Sequence, residues 1–146
     1  MCLSFRYKLH GILCDDMGLG KTLQTICMLA TDHFDRKKSG QSPCPSLIIC
    51  PATLCFHWST EIKKFVKNRQ DLIPFVYNGT MTQRLGLRKE LLTEIRNITN
   101  LCNLAVITSY EIVRSDVDLF KLWHWNYLVL DEGKNLQITF GYKIGM

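Results

Sequence analysis

Residues 15–22, Asp-Asp-Met-Gly-Leu-Gly-Lys-Thr, constrain the fold of this chain more than any other segment. They follow the apolar run 10–14 and open a stretch in which apolar residues recur at helical spacing. Such glycines let backbone N–H groups close around phosphate oxygens, and a helix N-terminus favours a bound anion. The order of strand, loop and helix therefore predicts a nucleotide-phosphate site, with Lys21 at the β- and γ-phosphates and the Thr22 hydroxyl on Mg²⁺.

One position departs from the general phosphate-loop pattern, because Asp15 stands six residues before Lys21, where glycine is expected. Taken alone, Gly-x-Gly-Lys-Thr also fits a flexible turn before an ordinary helix. The strand and helix patterns on either side favour the phosphate loop. The residues predicted to bind the nucleotide are Asp16, Met17, Gly18, Leu19, Gly20, Lys21 and Thr22.

A second motif, Asp131-Glu132, ends the apolar run 125–130. Such a run indicates a buried parallel strand that carries carboxylates to the carboxyl edge of a sheet. In a nucleotide hydrolase, Asp131 would hold Mg²⁺, usually through water, and Glu132 would polarise the attacking water. An ordinary polar turn explains Asp-Glu-Gly on its own. Together with residues 18–22, the pair favours catalysis, and Lys21, Asp131 and Glu132 are the predicted catalytic residues.

Strand and helix patterns alternate along the chain. Candidate strands are 10–14, 46–50, 73–77, 103–108 and 126–131, and candidate helices are 21–34, 54–67, 82–96 and about 111–123. This alternation predicts an α/β fold with a doubly wound parallel sheet, a single RecA-like lobe. Right-handed crossovers place the carboxyl ends of all strands on one edge, where ligands bind in such folds.

The motifs resemble those of the Swi/Snf-type ATPases in helicase superfamily two. In that family an acid does stand at the position of Asp15, within motif I. Four motifs match in order: residues 15–24 resemble motif I, residues 47–51 with 57–58 and 61–65 resemble motif Ia, residues 106–111 resemble motif Ib, and residues 130–133 resemble motif II. Residues 14–16 and 131–133 are most similar to the branch of the family that removes TATA-box-binding protein from DNA.

The resemblance implies ATP and Mg²⁺ as cofactors, the backbone of duplex DNA as a partner and the nucleus as the location. It also implies TATA-box-binding protein as a partner of the parent protein. Thr53, Thr108 and Ser109 would contact the DNA backbone, since such hydroxyls position a duplex without reading its sequence. Helix capping is the alternative role for Thr53 and Ser109, which both stand where an N-cap would.

Several departures from the family pattern bear on activity. In motif II, Gly133 is followed directly by Lys134, without the family's histidine. The simplest alignment drops three residues and resumes at Lys134-Asn135, and residues 138–146 match nothing in the family, so residues 134–146 form an atypical tail. The segment that contacts adenine is missing or replaced by residues 1–9, and residues 10–133 form the one RecA-like lobe. The second lobe, which would supply an arginine finger, is not part of this sequence. We therefore expect an ATP-binding lobe that hydrolyses ATP slowly alone.

Two alternatives come from other classes of protein. A catalytically silent remnant that binds a nucleotide or a partner would explain the departures in motif II. An unrelated phosphate-loop enzyme, such as a small-molecule kinase, would explain Lys21 and Thr22 but not the matches to motifs Ia and Ib. DNA affinity that falls steeply with salt would favour the ATPase over the kinase.

Composition sets broader limits. A net charge of +5 permits nucleic-acid binding without proving it, and no apolar run approaches the ~20 residues that span a bilayer, so no membrane partner is expected. The seven scattered cysteines predict reduced thiols rather than a zinc site. Two basic clusters are expected on solvated helix faces: Lys63, Lys64, Lys67 and Arg69, and separately Arg84, Arg88 and Lys89. The basic residues 36–38 are expected in a surface loop. The tryptophans are expected in packing: Trp58, Trp123 and Trp125.

Overall fold

The structure is a computed structural model, and it describes residues 20–41, 44–67, 71–96 and 103–132. The predicted strand 10–14, most of the predicted phosphate loop and the C-terminal segment 134–146 lie outside these residues. The helices are α1 (Lys21–Lys38), α2 (Cys55–Phe65), α3 (Met81–Arg96), α4 (Tyr110–Ser115) and α5 (Val117–Phe120), with a 3₁₀ turn at Ala52–Leu54. The strands are β1 (Ser46–Cys50), β2 (Ile73–Val76), β3 (Leu104–Ser109) and β4 (Leu128–Leu130).

The four strands form one parallel sheet in the order β2-β3-β1-β4. In the register of this sheet, Ile48 lies between Ile107 of β3 and Val129 of β4. β1 and β3 are buried along their whole length and consist mostly of apolar residues, as expected where both faces of a parallel sheet are covered. The predicted α/β parallel sheet is therefore confirmed, and the chain segments that follow the strands leave from one edge.

Each face of the sheet carries its own apolar core, which follows from the two-residue repeat of a strand. Leu47 and Ile49 of β1 face a cluster with α3, α4 and α5, whereas Ile48 and Cys50 face a cluster with α1 and α2. The sheet is thus doubly wound, as predicted. None of the helices in the described ranges combines the length and the apolar character that a membrane span requires.

Two of the predicted helical segments, 21–34 and 111–123, differ most from the observed helices. The basic residues 36–38, predicted in a loop, form the last turn of α1, where positive charge complements the helix dipole. The C-cap of that helix is Ser39, whose hydroxyl donates to the Asp35 carbonyl over 2.9 Å. The predicted helix 111–123 is divided at Asp116, a residue type that forms caps and turns more readily than helix interiors.

The break at Asp116 serves a buried polar network. Arg84 Nε and the Tyr77 hydroxyl each donate to Asp116 Oδ2 over 2.9 Å, and Arg84 Nη2 donates to Oδ1 over 3.3 Å. The Arg84 and Asp116 side chains are 15% and 18% exposed. Burial acts to raise the pKa of Asp116, but hydrogen bonds from Arg84, Ser115 and Tyr77 outweigh it and hold the pKa below its usual value. The prediction that Arg84 lies on a solvated face is therefore wrong.

His33 is a second buried polar group, and it gives the fold a dependence on acid. It lies on α1, fully buried, and its Nε2 is 3.0 Å from Ser46 Oγ. Nδ1 has no hydrogen-bond partner within the described ranges. Burial lowers the pKa of His33 to about 4; the charge of Asp32 opposes this effect and that of Arg36 adds to it. The folded state therefore holds His33 neutral until the solution is strongly acidic.

We expect the free energy of unfolding to fall by about 3 kcal/mol on account of His33 as the pH drops from 6.5 to 4, because the unfolded state binds the proton first. This contribution is complete above the unfolded pKa of 6.5 and is lost below it. Urea titrations at several pH values measure it. His33→Gln should flatten this part of the profile and His124→Gln, at an exposed position, should not. Identical profiles for the two variants would contradict the assignment.

Candidate nucleotide and magnesium site

The predicted site residues after the strands share the carboxyl edge of the sheet. The segment 51–54 follows β1, Ser109 ends β3, and Asp131 and Glu132 follow β4. Cys50 pairs in register with Ser109, and Ile49 pairs with Leu130, so these segments leave the sheet side by side. Ligands of open parallel α/β sheets bind at this edge.

Asp131 is held at this edge by three hydrogen bonds from three different elements. Its backbone N–H donates to the Ile49 carbonyl of β1 over 2.9 Å. The Tyr110 hydroxyl of α4 donates to the Asp131 carbonyl over 2.6 Å. The indole N–H of Trp58 on α2 donates to the carboxylate Oδ2 over 2.8 Å. Main chain and side chain of Asp131 are therefore both fixed.

Tyr110 is suited to remain a donor in this arrangement. The residue is 8% exposed, and burial raises the pKa of its hydroxyl to about 12, with further contributions from the nearby carboxylates of Asp131 and Glu132. The phenol therefore keeps its proton at physiological pH. The hydrogen bond to the Asp131 carbonyl persists across the pH range in which the protein would work.

Glu132 differs from Asp131 in both exposure and backbone. Its side chain is exposed, and its φ of 53° lies in the left-handed region. For a residue other than glycine this conformation is uncommon and costs of order 1 kcal/mol. The exposed position leaves the Glu132 carboxylate in solvent, where a water molecule can reach it.

Gly20, Lys21 and Thr22 form the start of α1. Gly20 is the N-cap, with a φ of 74°, and a Cβ placed there would meet no atom of the described residues within 4 Å. Among the described residues, no side chain caps this helix. The backbone N–H groups and the dipole at the N-terminus of an 18-residue helix attract an anion, which agrees with the predicted phosphate position. Asp16, Met17, Gly18 and Leu19 lie outside the described residues.

The chemistry of the two predicted metal ligands, Asp131 at the edge and Thr22 in the first turn of α1, suits magnesium rather than a metal enclosed by protein ligands. Within the described part of the chain, no three His, Cys, Asp or Glu side chains cluster to hold a metal ion. Mg²⁺ bound with a nucleotide takes one or two protein oxygens, and phosphates and water supply the rest. The Asp131 carboxylate and the Thr22 hydroxyl are oxygen donors of this kind, and they are the residues that would hold the ion.

The three residues predicted at DNA differ in accessibility. Thr53 is exposed on the 3₁₀ turn, whereas Thr108 and Ser109 are 0% and 2% exposed. Ser109 accepts a hydrogen bond from Ile112 N over 3.3 Å, so the capping role is confirmed for Ser109. Thr53 caps no helix, since Leu54 is the N-cap of α2, and its capping role was wrong. The burial of Thr108 and Ser109 argues against a direct contact with DNA, which leaves Thr53.

The tryptophans are expected in packing, and the structure confirms this and shows one further contact. Trp123 and Trp125 meet edge to face with ring centroids 6.0 Å apart. Trp58, a residue of α2, is 3% exposed and packs in the core between this helix and the sheet. Its bond to Asp131 was not predicted. A buried indole N–H needs an acceptor, but the sequence does not indicate which residue, 73 positions away, provides it.

The parallel sheet and the acidic pair after β4 define a RecA-like α/β lobe. The chain belongs to the family of Swi/Snf-type ATPases: the family model described as the SNF2-related domain matches residues 3–140. This confirms the family that the four motifs indicated.

Similar proteins include TATA-binding protein-associated factor 172 of Homo sapiens, 46% identical over 135 residues. TATA-binding protein-associated factor mot1 of Schizosaccharomyces pombe is 44% identical over 139 residues. Each alignment covers 88% of this chain, but 7% and 6% of the relative. Helicase SWR1 of Mycosarcoma maydis is 36% identical over 137 residues, which are 94% of this chain and 7% of that protein. The chain thus spans a small part of these relatives.

Proposed function

We propose that this chain is the ATP-binding lobe of a DNA-dependent Swi/Snf-type ATPase, and that it binds ATP with Mg²⁺ at the carboxyl edge of its sheet. The observation that carries the proposal is the fixed Asp131 carboxylate at that edge. Partners that orient a metal ligand strengthen its site. Here the Trp58 indole N–H orients the carboxylate, and two hydrogen bonds hold the main chain of Asp131.

Each predicted residue has a role in this proposal. Residues 16–20 enclose the phosphates with backbone N–H groups, and Lys21 contributes a positive charge there. Thr22 and Asp131 hold Mg²⁺, which neutralises charge on the phosphates when it is bound. Glu132 orients the attacking water. The left-handed turn and exposure of Glu132 support this last role, because they leave its carboxylate open to solvent.

The partners follow from the relatives and from charge. Two of the relatives are named as TATA-binding protein-associated factors, which supports TATA-box-binding protein as a partner of the full-length protein and the nucleus as its location. The net charge of +5 suits duplex DNA, and Thr53 presents an exposed hydroxyl at the edge of the sheet. Thr53 is the contact to the DNA backbone in this proposal.

Isothermal titration with ATP tests the proposal directly. We expect binding that magnesium strengthens relative to EDTA, because the carboxylate and the hydroxyl contribute through the metal. Binding that is equal in the two buffers would remove Asp131 and Thr22 from the metal site. The absence of binding in both buffers would contradict the proposed function altogether.

Turnover should be slow. We predict that a polypeptide of these 146 residues hydrolyses ATP more slowly than about 1 s⁻¹, with or without duplex DNA. The reason is that an arginine finger from a second lobe contributes ~10³–10⁵ in rate in related hydrolases. A coupled phosphate-release assay measures the rate, with Glu132→Gln as the control for contaminating activity. DNA-stimulated turnover above this rate would refute the prediction.

The missing histidine after Gly133 favours a second candidate, a catalytically silent module that binds nucleotide or a partner. The same assay separates the two functions. Slow hydrolysis that Glu132→Gln abolishes supports the ATPase lobe. Hydrolysis equal in the wild type and Glu132→Gln, together with ATP binding, supports the silent module.

A further inference from the structure

The hydrogen bond between Trp58 and Asp131 is unusual in its acceptor. Trp58 and Trp125 both donate an indole N–H over 2.8 Å, but Trp125 donates to the main-chain carbonyl of Phe120, five residues away. Trp58 instead donates to the carboxylate of Asp131, which follows β4 and lies 73 residues away in the sequence. A hydrogen bond to a charged group is stronger than one between neutral groups, so this bond can orient the side chain that accepts it.

The bond engages one carboxylate oxygen and leaves the other available. Trp58 donates to Oδ2, and within the described ranges no hydrogen bond or ion pair to Oδ1 is formed. Tyr110 and Ile49 hold the carbonyl and the N–H of the same residue, so the backbone cannot turn to compensate. The Asp131 side chain is therefore set in one orientation, with Oδ1 open to a metal ion or to a water bound to it.

We propose that Trp58 is a positioning residue for the magnesium site, which acts by holding the Asp131 carboxylate in its metal-binding orientation. The proposal rests on the function proposed above. It assigns to α2 a part in nucleotide binding that its apolar packing does not require. Without the indole N–H, the carboxylate would rotate among several orientations, and the metal would have to order it on binding.

Trp58→Phe and Trp125→Phe form a matched pair that tests the proposal. Each change removes an indole N–H that donates over 2.8 Å, and each retains an aromatic ring. The quantity to measure is the ratio of the ATP dissociation constants in EDTA and in magnesium. Trp58→Phe should lower this ratio by about tenfold, the usual effect of a hydrogen bond to a charged group, with little change in EDTA. Trp125→Phe should leave the ratio unchanged.

A double-mutant cycle with Asp131→Asn separates positioning from packing. If Trp58 acts through the Asp131 carboxylate, Trp58→Phe should have no further effect on the ratio once Asp131→Asn is present. Additive effects, a ratio equal to that of Trp125→Phe, or equal losses in EDTA and magnesium would each overturn the proposal. If the wild type binds no ATP, the proposed function fails as well. If the wild type responds to magnesium and Trp58→Phe responds to the same extent, only the positioning role is lost.

A spectroscopic measurement covers the case in which Trp58→Phe does not fold. The double variant Trp123→Phe/Trp125→Phe retains Trp58 as the single indole, since the chain has three tryptophans. Its fluorescence should change when magnesium is added to the ATP-bound protein, because the charge next to the indole N–H changes. Asp131→Asn in this background should abolish the change. Emission that is insensitive to magnesium while ATP binding is strengthened would overturn the proposal.

Discussion

Lys21→Ala should weaken ATP binding by about 100-fold or more while the protein stays folded, since charge-assisted hydrogen bonds to phosphate are among the strongest in proteins. Lys21 is the first residue of α1, next to the N-cap Gly20. Alanine is the best helix former, so the substitution should not unwind the helix. Isothermal titration in magnesium measures the affinity, and circular dichroism reports the fold.

Lys37→Ala is the control for Lys21→Ala. Lys37 lies on the same helix, in its last turn, and its side chain is exposed. The two variants lose the same charge, so they differ in whether that charge lies at the predicted phosphate site. Equal losses of affinity would indicate long-range attraction instead of contact. Affinity of Lys21→Ala equal to that of the wild type would remove Lys21 from the site.

Asp116→Ala should lower the free energy of unfolding by about 3 kcal/mol, because breaking a largely buried ion pair leaves the other charge without compensation. Three hydrogen bonds from Arg84 and Tyr77 end on this carboxylate. The substitution leaves a guanidinium that is 15% exposed and a Tyr77 side chain that is 1% exposed without their acceptor. Urea denaturation at neutral pH measures the change.

Asp118→Ala is the matched control, since Asp118 lies two residues further along and is exposed. We expect its effect to stay within about 0.5 kcal/mol, as is usual for surface substitutions. Arg84→Met in the Asp116→Ala background should recover part of the lost stability, because it removes the unpaired charge. Equal stability of Asp116→Ala and Asp118→Ala would show that the network contributes nothing measurable.

The sequence predicted the parts of the fold that follow from local periodicity. The predicted strand 46–50 matches β1, Ser46–Cys50, and the predicted strands near 73, 103 and 126 form the rest of the parallel sheet. Apolar runs of this kind have one stable arrangement, buried on both faces between helices. The acidic pair was likewise placed correctly, at the carboxyl end of β4. The catalytic and binding roles of the predicted site residues remain predictions.

The features that the sequence did not predict depend on contacts between distant segments. The helix break at Asp116 accommodates hydrogen bonds from Arg84 and Tyr77, which lie on other elements. The bond from Trp58 to Asp131 exists because α2 packs against the sheet near the end of β4. Local propensity contains no information about such pairs. The predicted capping role of Thr53 was wrong because a 3₁₀ turn precedes α2, so that Leu54 is the N-cap of this helix.

The wholly parallel sheet also determines when in folding the nucleotide site can form. Parallel neighbours cannot be joined by a short hairpin. β1 therefore pairs only with β3 and β4, which lie much later in the sequence. Contacts between such distant segments slow folding, because the loop between them must close first. Asp131 is tethered to β1, α2 and α4. The Asp131 carboxylate is therefore ordered late, after most of the lobe has assembled, and nucleotide binding at the proposed site would report the completion of folding.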